Sequence, residues 1–199
     1  MFRKSILWAA AWWLCLATTA WTTENLVVDA SFESPLPSWF AEHSGTSYYA
    51  AKEEVAGAAD GRMVLVIAGW NKEGSKVLSP PILLASEGNT SCLSATVAIR
   101  SIGKPEKATF ELALFDVKGM RKLASFGRMQ LNGRGDWHTV VQEGVKILGP
   151  VQTGRLGLVL AGSQDQVRVE VDRVGLFLGS GLGQVVDNSD LALLEAEDL

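Results

Sequence analysis

The stretch from Val167 to Asp172 constrains this chain more than any other. It reads Val-Arg-Val-Glu-Val-Asp, an apolar residue alternating with a charged one three times over. Successive side chains of an extended strand point to opposite faces, so this pattern suits a strand with one buried and one solvated face. On a helix the same valines would scatter around the circumference. The alternation recurs in Cys92–Arg100, where Leu93, Ala95, Val97 and Ile99 share one side and Ser94, Thr96, Ala98 and Arg100 the other. It recurs in Ala108–Asp116, with Phe110, Leu112 and Leu114 opposite Thr109, Glu111 and Ala113.

Shorter apolar runs fill the rest: Asn25–Val28, Trp39-Phe40, Thr46–Ala51, Met63–Ala68, Lys76–Ser79, Ser125–Leu131, Trp137–Gln142 and Arg155–Leu160. Turn formers separate them, among them Asp60-Gly61, Lys118-Gly119, Asn132-Gly133-Arg134-Gly135-Asp136 and Gly162-Ser163-Gln164-Asp165. Pro80-Pro81 ends a strand, because proline cannot extend a ladder. About nine strands with no long helical pattern predict an all-β fold, an antiparallel β-sandwich.

The two ends differ from the middle. Arg3 and Lys4 precede an apolar run, Ile6–Ala17, and then Thr18-Thr19-Ala20. A basic start, a short apolar core and a small-residue site make a signal peptide over residues 1–20. The run is short for a membrane span, which needs roughly 20 residues. The expectation is a secreted, periplasmic or cell-surface protein with no membrane span in the mature chain. The domain then occupies 21–180. Residues 181–199 form an acidic tail, read first as a solvated terminus; the alternative is a short helix capped by Ser189 and carrying Leu191, Leu194 and Leu199 as a docking face for a protein partner.

Charge and cysteine narrow the function. The formal net charge is −4, and losing the leader takes away Arg3 and Lys4. With no basic stripe visible along the chain, a nucleic-acid partner is not expected. Cys92 is the single cysteine outside the leader, so no intrachain disulfide is expected, and Cys92 is read as a small core residue.

Four stretches in order resemble the cenC-type carbohydrate-binding modules, galactose-binding-like jelly rolls related to binding-module families 4, 9 and 22. They are Asn25–Glu33 with Trp39 downstream, Asp60–Leu65, Gly135–Val140, and Val169–Leu176. Asp29, Ser31 and Ser38 depart from the family's usual Asn, Gly and Gly. The resemblance implies a jelly roll in which Trp39 and Trp137 are core residues. It also implies a structural Ca²⁺ held by Glu33 and Asp172, with a carbonyl near Asp60-Gly61; calcium accepts such mixed oxygen ligands.

Sugar rings present flat C–H faces that aromatic rings cover well. Trp70 follows an apolar strand and precedes the polar Asn71-Lys72-Glu73-Gly74. Trp70 is therefore the first candidate platform, with Tyr48 and Tyr49 next and Asn71 and Glu73 as hydroxyl-bonding partners. The expected ligand is a polysaccharide or oligosaccharide. Catalysis is not expected. Asp136 and His138 have no nucleophile motif beside them, and Glu111, Asp165 and Glu170 read as solvated-face carboxylates. The alternative is a structural or protein-docking domain of an extracellular assembly; a jelly-roll hydrolase or lyase ranks below both. Arg134-Gly135-Asp136 is read as a turn, and Asn89-Thr90-Ser91 is a glycosylation sequon.

Overall fold

A computed structural model describes residues 24–35, 39–42, 48–69, 75–84, 90–105, 107–148, 151–161 and 167–179. These form eleven strands: β1 (Phe40–Glu42), β2 (Tyr48–Glu54), β3 (Met63–Gly69), β4 (Ser75–Leu78), β5 (Ile82–Leu83), β6 (Thr90–Gly103), β7 (Thr109–Asp116), β8 (Lys122–Gln130), β9 (His138–Leu148), β10 (Thr153–Ala161) and β11 (Val167–Leu178). One sheet runs β1-β4-β10-β7-β8 with β5 beside β10, and the other runs β2-β3-β11-β6-β9. All the pairings are antiparallel. The all-β sandwich expected from the alternation is the observed fold; β1 begins within the Trp39-Phe40 run, and the two-residue β5 is a strand that local pattern alone does not reveal. The signal peptide and the acidic tail lie outside the described residues.

The inward faces are those the alternation assigns. Leu93, Ala95, Val97 and Ile99 of β6, Phe110, Leu112 and Leu114 of β7, Leu156, Leu158 and Leu160 of β10 and Val167, Val169 and Val171 of β11 pack into one core. Phe32 and Trp39 close one end, their rings 5.5 Å apart. Four bulges adjust the inward set, one of them in β9 between Gln142 and Val145. In β11 one extra residue between Asp172 and Gly175 reverses the parity, so Val174 and Leu176 point inward again. Arg173 at that bulge has φ 50, a left-handed conformation unusual for a residue with a side chain. Two bulges in β8 turn Phe126 into the core.

Several expectations are corrected here. Asn25–Val28 is not a strand. The Asn25 side chain takes over the pairing instead: it donates to Val174 O at 3.1 Å and accepts from Val27 N and Leu176 N. The segment is thereby stitched to the β11 bulge by side-chain bonds, joined by Leu26 N to Leu176 O and Val174 N to Ala30 O. β11 is not half-exposed. It is a central strand with both faces covered, and Glu170 is only 1% exposed rather than solvated. Cys92 is half-buried, because Leu93 takes the inward position beside it.

Candidate functional site

Register partners in a sheet share a face, so the outer face of the β1-β4-β10-β7-β8 sheet can be read across the strands. One row is Phe40, Leu78, Gly157, Ala113 and Ser125. A second is Arg155, Phe115 and Lys122; a third is Glu42, Lys76, Val159, Glu111 and Arg128. Leu78, Ala113 and Phe115, with Val159 against them, form an apolar cluster separate from the main core. The Phe115 ring lies over Gly157, where a Cβ would come within 2.5 Å of it.

The turn between β7 and β8 curls over this floor. Gly119, at φ +74, sits so close to Leu78 that a Cβ would fall 2.4 Å from its Cδ1; only glycine meets both conditions. Two cations tie the turn down. Lys76 Nζ donates to Gly119 O at 2.6 Å and lies 4.7 Å from the Phe115 ring centre. Arg155 Nε donates to Val117 O and Nη1 to Ser79 O, both at 2.8 Å, while the guanidinium lies over Phe40 at 4.8 Å. Burial pushes the Lys76 amine down, against the opposing charge of Asp116. Phe40 remains 43% exposed. Burial also pushes the Glu111 carboxyl up, but hydrogen bonds from Lys122 and Ser125 and the charges of Lys122 and Arg128 outweigh it and hold it below the ordinary range. The result is an apolar floor with an exposed aromatic edge and a border of charged donors.

On the opposite sheet an ion-pair network occupies the outer face around Glu170. Glu170 pairs with Arg100 and, at 2.7 Å, with Arg168, which reaches Glu53 at 2.9 Å. Arg100 also donates to Gly57 O and Ala56 O, and Trp137 lies over it at 4.8 Å with Nε1 donating to Gly57 O. Trp137 is thus not a core residue as expected but half-buried. It precedes β9 on the outer side, where an arginine offers its ring more than the apolar interior would. His138 Nε2 lies 3.1 Å from Asn132 Nδ2, a surface contact. The turn reading of Arg134-Gly135-Asp136 fits φ 68 at Gly133 and φ 83 at Gly135.

Glu33 and Asp172 converge on one loop. Glu33 Oε1 accepts from Arg62 N at 2.6 Å and Met63 N at 2.7 Å. Asp172 Oδ2 accepts from Asp60 N at 2.7 Å and Oδ1 from Arg173 N at 2.8 Å. Asp172 is fully buried. Burial pushes its carboxyl up to about 6 against those amide bonds, with the Asp60 carboxylate adding to the rise. No described cation pairs with it. Among the described residues no three His, Cys, Asp or Glu side chains gather as a metal cluster. The donors that do meet here are hard oxygens, which suit calcium in kind; backbone carbonyls would have to complete the set.

Of the candidate sugar contacts, Trp70, Asn71 and Glu73 lie outside the described residues. Tyr48 and Tyr49 begin β2 opposite Gly69 and Ala68, so the strand end that leads to Trp70 runs beside the tyrosine pair. Ser75, on the far side of residues 70–74, leads directly to Lys76 of the outer face. Phe40, Phe115, Arg155 and Lys76 were not among the sequence candidates. The expectation of no basic stripe is corrected as well. Between Asp116 and Asp136 the chain carries Lys118, Arg121, Lys122, Arg128 and Arg134 and no carboxylate, and this interval includes the edge strand β8.

No protein-family model and no curated protein sequence matches the chain. Solved structures do. A family 61 carbohydrate-binding module in complex with β-1,4-galactotriose is similar at TM-score 0.51 and 14% identity, over 78% of this chain and 99% of that one. The CBM22-1 xylan-binding domain from Paenibacillus barcinonensis Xyn10C is similar at TM-score 0.52 and 14% identity, over 81% and 98%. An α-L-arabinofuranosidase of family GH51 is similar at TM-score 0.55 and 12% identity, over 88% of this chain and 30% of that one. The chain therefore spans whole binding modules and under a third of that enzyme. At such identities the likeness establishes the fold, the jelly-roll sandwich of carbohydrate-binding modules.

Proposed function

We propose that this protein binds a glycan and does no chemistry on it, using the outer face of the β1-β4-β10-β7-β8 sheet. The observation that carries the reading is the half-exposed Phe40 at the end of an apolar floor, bordered by Lys76, Arg155, Glu111 and Lys122. Such a face joins apolar area for ring stacking to fixed donors and acceptors for hydroxyl groups. The similar structures bound to β-1,4-galactotriose or described as xylan-binding support this reading. Trp70, Asn71, Glu73, Tyr48 and Tyr49 are further contacts that this reading assigns to the glycan. Glu33, Asp172 and carbonyls of the loop around Asp60 hold a structural Ca²⁺, which neutralises the buried Asp172 and pins that loop. The setting is extracytoplasmic, after removal of residues 1–20.

The test is a glycan array with residues 21–199 in calcium, alongside Phe40→Ala and Trp70→Ala. Loss of stacking on either ring weakens binding by roughly tenfold. Binding untouched by both changes refutes the site, and binding to no glycan refutes the function. The latter result favours the protein-docking reading, for which the exposed Leu83 and Met120 on described turns and edges are the supporting observation.

A further inference from the structure

Accepting glycan binding at this face, we infer that the ligand is an acidic polysaccharide, one whose repeating units carry carboxylates, as in a polyuronate. The first ground is charge. The three outer rows carry four cations, Lys76, Arg155, Lys122 and Arg128, and two carboxylate residues, Glu111 and, at the β1 edge next to Lys76 in register, Glu42. The curled turn above them adds Lys118 and Arg121, both exposed, with Asp116 at its base. Six cations thus stand on or above the face with the exposed aromatic, in a chain of net charge −4.

The second ground is how those cations are held. Arg155 is bound by two backbone carbonyls and an aromatic ring, not by a described carboxylate. Its Nε and Nη1 are used and its Nη2 has no described protein partner. A guanidinium fixed this way keeps its full charge and its planar fork, which matches a carboxylate. Arg128 donates to the Thr109 hydroxyl at 3.2 Å. Of the two anions, Glu111 is held by Lys122 at 2.7 Å, and Glu42 stands on the edge strand β1, across β4 from Arg155 and Arg128.

The third ground is arrangement. The small-residue row Gly157, Ala113 and Ser125 lies between two rows that carry the cations: Arg155 and Lys122 on one side, Lys76 and Arg128 on the other. From β4 to β8 the rows cross three strand spacings, roughly 14 Å. That exceeds one sugar ring, so the cations suit a chain with a charge on successive units lying across the strands.

The experiment measures binding of residues 21–199 to polygalacturonate, to its fully methyl-esterified form and to single-stranded DNA, at low and high salt. The expected result is at least tenfold tighter binding to the acid than to the ester, weakened by salt. Arg155→Gln and, separately, the exposed Arg128→Gln lower affinity for the acid severalfold more than affinity for the ester. Glu111→Gln raises affinity for the acid severalfold, a direction that loss of packing alone would not produce. Equal binding to acid and ester overturns the inference and leaves glycan binding standing. Binding to neither overturns both. DNA bound as tightly as polygalacturonate overturns it too, showing a general polyanion patch.

Discussion

Replacing Gly157 by alanine tests how the outer face is built. Gly157 sits in β10 between Leu78 and Ala113. An added Cβ would meet Phe115 Cε2 at 2.5 Å, Cδ2 at 2.7 Å and Leu78 Cδ2 at 3.2 Å. The ring is 7% exposed, packed by Leu78, Ala113 and Val159 and covered by Lys76, so it can yield only outward. Overpacking of this kind costs about 1–3 kcal/mol. Loss of the Lys76 contact adds about 0.5–1 kcal/mol. Restricting the unfolded chain returns about 0.4–1 kcal/mol. The net is a loss of about 0.5–3.5 kcal/mol, centred near 2, which at the centre is roughly 4–8 °C in Tm for a domain of this size. Circular-dichroism melts of Gly157→Ala, Phe115→Leu and the double variant measure it. The double variant should be more stable than the sum of the two losses, because the smaller side chain makes room for the methyl. A Gly157→Ala protein as stable as the parent, or a penalty unchanged beside Phe115→Leu, would show that Phe115 does not rest on Gly157.

Glu170→Ala leaves Arg100 without its buried partner and Arg168 with one fewer; urea denaturation should show a loss of about 3–5 kcal/mol, against a much smaller change for a fully exposed residue. Gly61→Ala combines φ +59 with a Cβ 2.2 Å from Glu33 Oε1, so it should lower Tm, and less so in a Glu33→Ala background. Calcium should raise Tm and a chelator lower it, with Asp172→Asn blunting both; equal responses in parent and variant would remove Asp172 from the site. In chelator, the Asp172 carboxyl at about 6 binds its proton more tightly folded than unfolded. Its contribution to stability is therefore full at acid pH and lost as pH rises through about 6, read as the parent-minus-Asp172→Asn difference in Tm between pH 4 and 7.5.

Much of the fold was legible in single residues. Leu93, Ala95, Val97 and Ile99 declare their inward face by spacing alone, and Asp60-Gly61, Lys118-Gly119 and Asn132–Asp136 declare turns by their chemistry. The pairing of Glu33 and Asp172 with one loop was legible only through resemblance, since the two lie far apart in the chain. Glu170 misled because alternation says which side a residue faces, not what lies on that side. A carboxylate on an outer face is solvated only if no arginine or loop covers it. Trp137 misled for a related reason. A tryptophan beginning a strand can bury its ring against a cation as readily as in the core.

The sequence by itself determined which segments extend, where they turn and which face of each is apolar, because those properties depend on neighbours one or two residues apart. Only the tertiary structure decided that Lys76, Arg155, Lys122 and Arg128, drawn from three strands, meet on one face around Phe40 and Phe115. Their meeting depends on strand order and register, which are set by long-range closure of two sheets over a shared core. A local pattern holds no record of which strand becomes whose neighbour, so the face is a property of the folded chain.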